Sequence, residues 1–323
     1  MRRGLVALVA AVGLALAAPA AASVRHTADQ ADDLKSSEQV HVMYVVPSDG
    51  ADRGLDANGT LESSVASWQE WLRGQTGGRG MKLDTASGAL DVTFVRLGVP
   101  GEEIAQKGVY ARDEIEKQLA DVGFKEPNKV YAVYYDGPIR ADSCGAGAWP
   151  PVLPGRVAAL YLRGELSPRY QPCDSNPFAG PGEPPGYVEY SMLHEVLHTI
   201  GFVPKCAPHQ TRGGHVSDSP TDLMYAGDEP WAPSVLDFGR DDYFAAGRHD
   251  CLDLAKSRYL EGNPSTVCVA ARSDVKRATQ TVRDARAALS RARTKRARQR
   301  ARSRLSAAKR RLSQASKRVT RFC

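Results

Sequence analysis

The sequence predicts an α+β fold, in which a mixed twisted β-sheet is backed by helices and followed by a basic α-helical hairpin. Strand-like runs rich in β-branched and aromatic residues alternate with amphipathic helical segments up to about residue 204. Beyond residue 268 the chain has no glycine or proline and carries many cations. The hydrophobic fraction of 42% over 323 residues is sufficient for a substantial core.

The body, residues 40–268, shows a succession of strand and helix signals. "VHVMYVVP" predicts a first strand that ends at Pro47, and "TLESSVASWQEWLRG" predicts a helix with Thr60 as its N-cap. The predicted order is a strand over 40–47, a helix over 60–74, a strand over 90–99, a helix over 111–124, strands over 129–137 and 156–164, and a helix from 191. Between residues 144 and 186 the chain is rich in proline and glycine, which favours long ordered loops.

The C-terminal tail, residues 269–323, carries two apolar seams at heptad spacing, over 275–292 and 301–322. The two seams are out of phase, which favours two helices folded back as an antiparallel hairpin. That arrangement would bring Cys268 and Cys323 together. The rival interpretation is one long helix that dimerises, and it would leave those two cysteines far apart.

The first 22 residues have the pattern of a secretory signal peptide. Arg2 and Arg3 precede an apolar run of about 15 residues, and the small residues Ala20–Ala22 supply a cleavage site. A membrane anchor is the competing interpretation, but a spanning helix needs about 20 apolar residues. We therefore expect removal of residues 1–22, a short polar segment over 23–39, and a secreted extracellular protein without a transmembrane segment.

Export makes disulfides the expected state of the six cysteines. Their order along the chain favours pairing between neighbours, although six cysteines allow 15 pairings. The expected pairs are Cys144 with Cys173, Cys206 with Cys251, and Cys268 with Cys323. A thiolate zinc site is the alternative, but the sequence contains no C-x-x-C pair.

The net charge of +6 hides an uneven distribution along the chain. Residues 269–323 carry 19 lysines and arginines against two aspartates, a net charge of +17. The rest of the chain therefore carries −11. An acidic body and a basic tail are expected to have different partners.

The stretch "SMLHEVLHTIGF" contains a motif suited to metal chemistry. His194 and His198 are four residues apart, so on a helix both imidazoles can reach one ion, with Glu195 beside them. In that arrangement Glu195 would be the general base that takes a proton from a water attacking a scissile carbonyl. The flanking residues are apolar around nearly the whole helix, so this active-site helix is expected to be buried. Buried histidines need a partner, which favours a metal site over solvated histidines.

The motif resembles that of the metzincin zinc metalloproteases, and most closely the matrixin type. His194, Glu195, His198 and Gly201 match the metzincin helix, and "DLMYAG" resembles the Met-turn of that family, with Met224 as its methionine. The resemblance implies Zn²⁺ as cofactor, peptide-bond hydrolysis, and a domain over 40–268 with an upper part 40–204 and a lower part 205–268. It also implies a short C-terminal helix over 233–244.

The third zinc ligand does not stand where the family pattern places it, because Pro204 occupies that position. The segment "GHVSDSPTDLMY" resembles the matrixin stretch in which the third histidine precedes the Met-turn. His215 is therefore the expected ligand, displaced by an insertion over 202–213. His209 is the alternative third ligand, and Asp218 or no third ligand also stay open.

Two hypotheses for the function follow. The first is a secreted zinc-dependent endopeptidase acting on a protein or peptide substrate, with Glu195 as general base. The second is a non-catalytic metzincin-like binding protein whose basic hairpin docks to anionic cell-envelope polymers. The hairpin could instead dock on the acidic body or a protein partner, or serve no specific role, while nucleic acid is not expected after export.

Overall fold

The computed structural model describes residues 24–141, 143–164 and 176–323. The predicted signal peptide, residues 1–22, and Cys173 of the predicted Cys144–Cys173 pair lie outside the described residues. The described chain has an α+β architecture with one five-stranded mixed sheet and six α-helices.

The strands of the sheet are β1 (Gln39–Val46), β4 (Val92–Arg96), β5 (Lys129–Ile139), β6 (Gly145–Trp149) and β7 (Leu153–Gly164). Their order across the sheet is β4-β1-β5-β7-β6. Four of them run parallel, and β6 pairs antiparallel with β7 at one edge. Two short hairpins lie outside this sheet: β2 (Thr85–Ala86) with β3 (Ala89–Leu90), and β8 (Gln210–Thr211) with β9 (His215–Val216).

Helices cover both faces of the sheet, so its central strands are buried on both sides. The helices of the body are α1 (Thr60–Thr76), α2 (Gly101–Ala105), α3 (Ala111–Asp121) and α4 (Tyr187–Thr199). Alternate residues of β1 point into two different cores: Val42 and Tyr44 pack with α1 and α4, while Met43 and Val45 pack with α2 and α3. The sheet therefore holds α4 and α3 on opposite faces.

Several boundaries differ from the sequence prediction. Helix α1 is not capped by the Thr60 side chain; Gly59 is the N-cap residue, with φ of 82°, and the Asn58 side chain accepts a hydrogen bond from the Thr60 N–H at 3.0 Å. The predicted strand over 90–99 is divided at Asp91, whose buried carboxylate accepts a hydrogen bond from the Gln30 N–H at 2.7 Å. That side chain turns inward to bind the N-terminal segment, so the chain does not run as one strand there.

Two larger differences lie near the predicted metal-binding histidines. Strand β6 lies in part of the stretch predicted as loop. The sequence does not predict this strand because glycine has a low β propensity. The helix over 233–244 implied by the family resemblance is absent from this described segment. Asp237 explains the absence, because its side chain accepts hydrogen bonds from the N–H groups of Tyr243 and Phe244 that a helix would use internally.

Two long helices complete the chain, α5 (Thr266–Arg291) and α6 (Lys295–Phe322), and they pack against each other. The disulfide Cys268–Cys323 joins the start of α5 to the end of the chain, with a Cα–Cα distance of 5.0 Å. A second disulfide, Cys206–Cys251, links the segment after α4 to a residue 45 positions further along the chain, with a Cα–Cα distance of 5.7 Å. These are two of the three predicted pairs. Within the described ranges, no helix combines the length and the apolar character needed to cross a bilayer.

Candidate metal centre

Helix α4 is anchored at its first turn by the fully buried Glu189. The Glu189 carboxylate accepts hydrogen bonds from the Gly186 N–H at 3.0 Å, from the Ala179 N–H at 3.1 Å and from the Ser64 hydroxyl on α1 at 2.7 Å. A buried carboxylate is stable only with such donors. These bonds fix α4 against α1 and so set the direction in which its later turns point.

His194 and His198 lie on the next turns of α4 and are 8% and 5% exposed. The Nδ1 atom of His194 is 2.7 Å from the Leu223 carbonyl oxygen, and that of His198 is 2.8 Å from the Phe202 carbonyl oxygen. A carbonyl oxygen only accepts, so each ring carries its proton on Nδ1. Both Nε2 atoms are then left with a free lone pair, the form in which histidine binds a metal.

His215 reaches the same place from the β8–β9 hairpin. Gly213 and Gly214 form its turn with φ of 84° and 82°, the left-handed region that favours glycine. A Cβ atom on Gly214 would lie 2.6 Å from the Trp149 ring, so only glycine fits there. The Val203 N–H donates to the Gly214 carbonyl at 2.8 Å and ties this turn to the chain after α4.

The three imidazoles converge on one point. One ligand atom from each of His194, His198 and His215 lies within 4.8 Å of the other two. The Nε2 atoms of His198 and His215 are 3.1 Å apart, and the ring centroid of His194 is 4.6 Å from that of His198 and 5.2 Å from that of His215.

Burial keeps these rings neutral. Loss of solvent and the neighbouring His215 lower the pKa of His194 to about 3. The pKa of His198 is also lowered well below its usual range, by burial and then by the other two histidines, and burial lowers that of His215. Neutral imidazole is the ligating form, so the site is ready to bind a cation at neutral pH.

Glu195 follows His194 on α4 and points toward strand β6. A Cβ atom on Gly145 would lie 2.9 Å from the Glu195 Oε1 atom, so that glycine leaves room for the carboxyl group. Burial raises the pKa of Glu195 to about 8, while a backbone hydrogen bond from Gly147 and the charge of Arg112 act in the opposite direction. A carboxyl group with a pKa near neutrality is suited to exchange protons at physiological pH.

Asp222 is a supporting residue that the sequence analysis did not identify. It is fully buried, and its carboxylate accepts hydrogen bonds from the Met224 N–H at 2.6 Å, the Phe238 N–H at 2.7 Å and the Tyr243 hydroxyl at 2.9 Å. These bonds hold the turn whose Leu223 carbonyl binds His194. The sequence contains one indication of this role: Asp222 directly precedes the apolar run "LMY". A carboxylate in such a place can accept hydrogen bonds from nearby backbone N–H groups.

Met224, the predicted Met-turn residue, is fully buried in the core that contains α4. Its backbone carbonyl accepts from the Val216 N–H at 3.0 Å, one residue after His215. The turn that carries Met224 is therefore hydrogen-bonded both to His194, through Leu223, and to the strand that bears His215.

A cleft of about 1020 Å³ opens over the histidines. His194, Glu195, His198 and His215 are among its polar lining residues. Aromatic and aliphatic side chains and two cations line the rest, among them Trp149, Val152, Leu153, Tyr187, Trp231, Lys205 and Arg212. Trp231 stands edge-on to His194 with ring centroids 5.7 Å apart.

His209, the alternative third ligand, lies in a different cluster. Its Nδ1 atom is 3.0 Å from the Asp242 Oδ2 atom, and Asp218 and Asp241 are within 4 Å. The His209 side chain is 42% exposed, and its bond to Asp242 raises its pKa. The geometry therefore groups His215, and not His209 or Asp218, with His194 and His198.

Among the side-chain clusters of the described residues, the three-histidine cluster is the one best suited to hold a metal ion. It combines three neutral nitrogen donors, an adjacent carboxyl group and an open cleft. No protein-family model matches the chain, and no curated protein matches it either.

Proposed function

We propose that this protein is a secreted zinc-dependent endopeptidase of metzincin type. The observation that carries the proposal is the convergence of His194, His198 and His215 at the floor of an open cleft, with Glu195 beside them. In this proposal the three histidines bind the metal, and Glu195 transfers the proton.

The donor set fits zinc. Three imidazole nitrogens with one open position are a recurrent ligand set for catalytic zinc, whereas calcium and magnesium prefer oxygen donors. Two nitrogens bound to one tetrahedral zinc ion at about 2.0–2.1 Å stand about 3.3 Å apart. The Nε2 atoms of His198 and His215 stand 3.1 Å apart. Zinc bound there would polarise a scissile carbonyl and lower the pKa of a water molecule.

The chain's own residues supply the proton transfers and the positioning. Glu195 in its carboxylate form accepts a proton from the attacking water and passes it to the leaving amine, and a cation held by the three histidines would favour that form. The Leu223 and Phe202 carbonyls keep His194 and His198 oriented throughout. The apolar walls of the cleft exclude water from the substrate backbone and strengthen electrostatic contacts at the site.

Export agrees with the disulfides of this chain. Disulfides persist in oxidising compartments, and the described residues contain two. We propose that the chain is secreted and that residues 1–22 are removed on export.

The test is cleavage of a complex peptide mixture, followed by mass spectrometry. The Glu195→Gln variant keeps the shape of the side chain but cannot accept a proton, so we expect at least a hundredfold loss of cleavage with zinc still bound, in line with the size of general-base effects. A chelator should abolish cleavage by the wild type, and added zinc should restore it. Full activity of Glu195→Gln would contradict the proposed mechanism.

The second candidate is a non-catalytic binding protein whose basic hairpin docks on anionic envelope polymers. The uncompensated charge of α5 and α6 favours it, because 19 cations against two acids exceed what solubility requires. The same experiment separates the two candidates: a wild type that binds zinc and cleaves no peptide in the mixture supports the binding protein.

A further inference from the structure

We propose that the tip of the α5–α6 helix pair, residues 291–304, is a binding site for a linear polyanion built of phosphodiester units without bases. This inference does not rest on peptide hydrolysis. It deepens the docking role suggested for the tail by placing the site at one end of the helix pair.

The tip has the densest charge in the chain. Residues 291–304 contain eight cations and no acidic residue, and every one of these side chains is exposed. The cations are Arg291, Arg293, Lys295, Arg296, Arg298, Arg300, Arg302 and Arg304. So many like charges over two short helix ends repel one another and attract an anion.

The tip charge is also uncompensated. Asp274 pairs with Arg277 and, at 2.8 Å, with Arg318, but this pairing lies toward the disulfide end of the helix pair. Across the described parts of the chain, none of the eight tip cations takes part in an ion pair with another residue. The body does not use this charge, so the tip is free to bind a partner.

Three of the tip arginines form a row. Arg296, Arg300 and Arg304 line one shallow groove on α6, together with Gln299 and Ser303. Residues four apart on a helix are separated by about 6 Å along its axis. Such a row presents repeated guanidinium groups to one extended chain, and guanidinium binds phosphate oxygens bidentately. Fifteen of the 19 tail cations are arginine, which favours phosphate recognition over mere solubility.

The remaining surface of the helix pair argues against two other anionic partners. Insertion into a lipid surface needs an exposed apolar face, yet Val282, Ala301 and Ala308 are buried between the helices. Among the described side chains of the pair, Val269 is the only large apolar one that is exposed, and it lies near the base. Residues 291–304 contain no aromatic residue on which nucleobases could stack, and Phe322, the one aromatic residue of 269–323, lies at the opposite end of α6.

The helix pair also separates the tip from the acidic body. Helix α5 has 26 residues, so the tip lies about 39 Å from its base. The base is fixed to the body, because the Thr266 N–H donates to the Glu38 carboxylate at 3.1 Å. A polyanion attracts the tip and repels the body, which carries −11 by composition. Binding is therefore oriented, with the tip toward the polymer.

The experiment measures binding of the purified full-length protein to immobilised poly(glycerol phosphate) over a range of salt concentrations. The tip variant is Arg296→Gln, Arg300→Gln, Arg304→Gln. The control variant, Arg272→Gln, Arg311→Gln, Lys317→Gln, removes the same charge from exposed positions nearer the disulfide. Glutamine forms helices well, so both variants should fold, as circular dichroism would verify.

We expect the tip variant to lose at least tenfold in affinity and to show a flatter salt dependence, because fewer ions are released on binding. The control variant should lose less than about threefold. Equal losses in the two variants would overturn the tip site in favour of diffuse charge attraction. Equal or tighter binding to anionic lipid vesicles or to single-stranded DNA would overturn the proposed partner.

Discussion

At the scale of single residues, the candidate metal centre depends on backbone carbonyls as much as on the histidines. Phe202 follows His198 by four residues, so its carbonyl is supplied locally at the end of α4. Leu223 comes from a distant turn that the Asp222 carboxylate holds in place. The histidine spacing predicts that His194 and His198 share a face, but it carries no information about which carbonyls will orient them.

Asp222 is a positioning residue whose loss should weaken metal binding. In Asp222→Asn, the amide group has two donors and one acceptor, so it cannot accept from Met224, Phe238 and Tyr243 together. Loss of such an outer contact typically costs 10–100-fold in metal affinity, and we expect about that range here. The measurement is competition for zinc against a chelator of known affinity.

The matched control for Asp222 is Asp237→Asn. Asp237 is also buried and accepts a hydrogen bond from the Tyr243 N–H at 2.9 Å, but it has no hydrogen bond to the turn at Leu223. We expect its zinc affinity to stay within about threefold of the wild type. Equal losses in both variants would mean that Asp222 acts only through general stability.

The buried histidines predict a pH dependence of stability in the metal-free protein. Burial lowers the pKa of His198 well below its unfolded value of 6.5, so protonation below pH 6.5 favours the unfolded chain. Between pH 7.5 and pH 5.0, the free energy of unfolding of the wild type should therefore fall by about 2 kcal/mol more than that of His198→Gln. Denaturant unfolding with chelator present measures it.

His209 provides the control, because its pKa is shifted in the opposite direction. Its bond to Asp242 raises that pKa, so its contribution to stability is present below pH 6.5 and is lost as the pH rises through the raised value. The difference between wild type and His209→Gln should move oppositely with pH. Parallel curves for wild type and His198→Gln would contradict the account.

At the scale of elements, the site depends on the close approach of α4 to the edge strand β6. A Cβ atom on Gly147 would lie 2.4 Å from the Glu195 carbonyl oxygen and 2.7 Å from the His198 Cβ atom. Both contacts involve rigid parts of α4. Glycine at this position therefore allows the strand to lie directly against the helix that bears the candidate metal ligands His194 and His198.

The Gly147→Ala variant tests that approach. Overpacking of a well-packed region typically costs 1–3 kcal/mol, and we expect a loss of about 2 kcal/mol in the free energy of unfolding together with weaker zinc binding. Gly98→Ala is the control, because a Cβ atom there has open space around it. Chemical denaturation compares the two, and equal stabilities would show that α4 and β6 are less tightly packed than described.

The elements that the sequence predicts well are those with long apolar runs. The buried strand β1 and helix α4 have long apolar runs, and both appear close to their predicted positions. The sequence does not predict strand β6, because its side chains, in "GAGAW", are mostly small and two prolines follow it directly. The segment 233–244 avoids helix because Asp237 binds its backbone and because Gly239 and Arg240 have positive φ values.

At the scale of the whole molecule, the candidate metal centre and the basic helix pair lie in different parts of the chain. The candidate metal centre lies in the acidic body, while the excess positive charge lies on α5 and α6. The Cys206–Cys251 disulfide secures the segment between α4 and the β8–β9 hairpin, and Cys268–Cys323 closes the base of the helix pair. Each of these two regions therefore contains one of the two disulfides of the described residues.

The third metal ligand is the assignment on which the account of the body depends. His215 and His209 are six residues apart in the same segment, and the structure places them in different clusters. The decisive measurement is the zinc content per chain of the wild type beside His215→Ala and His209→Ala. We expect one zinc in the wild type and in His209→Ala and none in His215→Ala. Loss of zinc from His209→Ala with full retention in His215→Ala, or a wild type without zinc, would contradict this assignment.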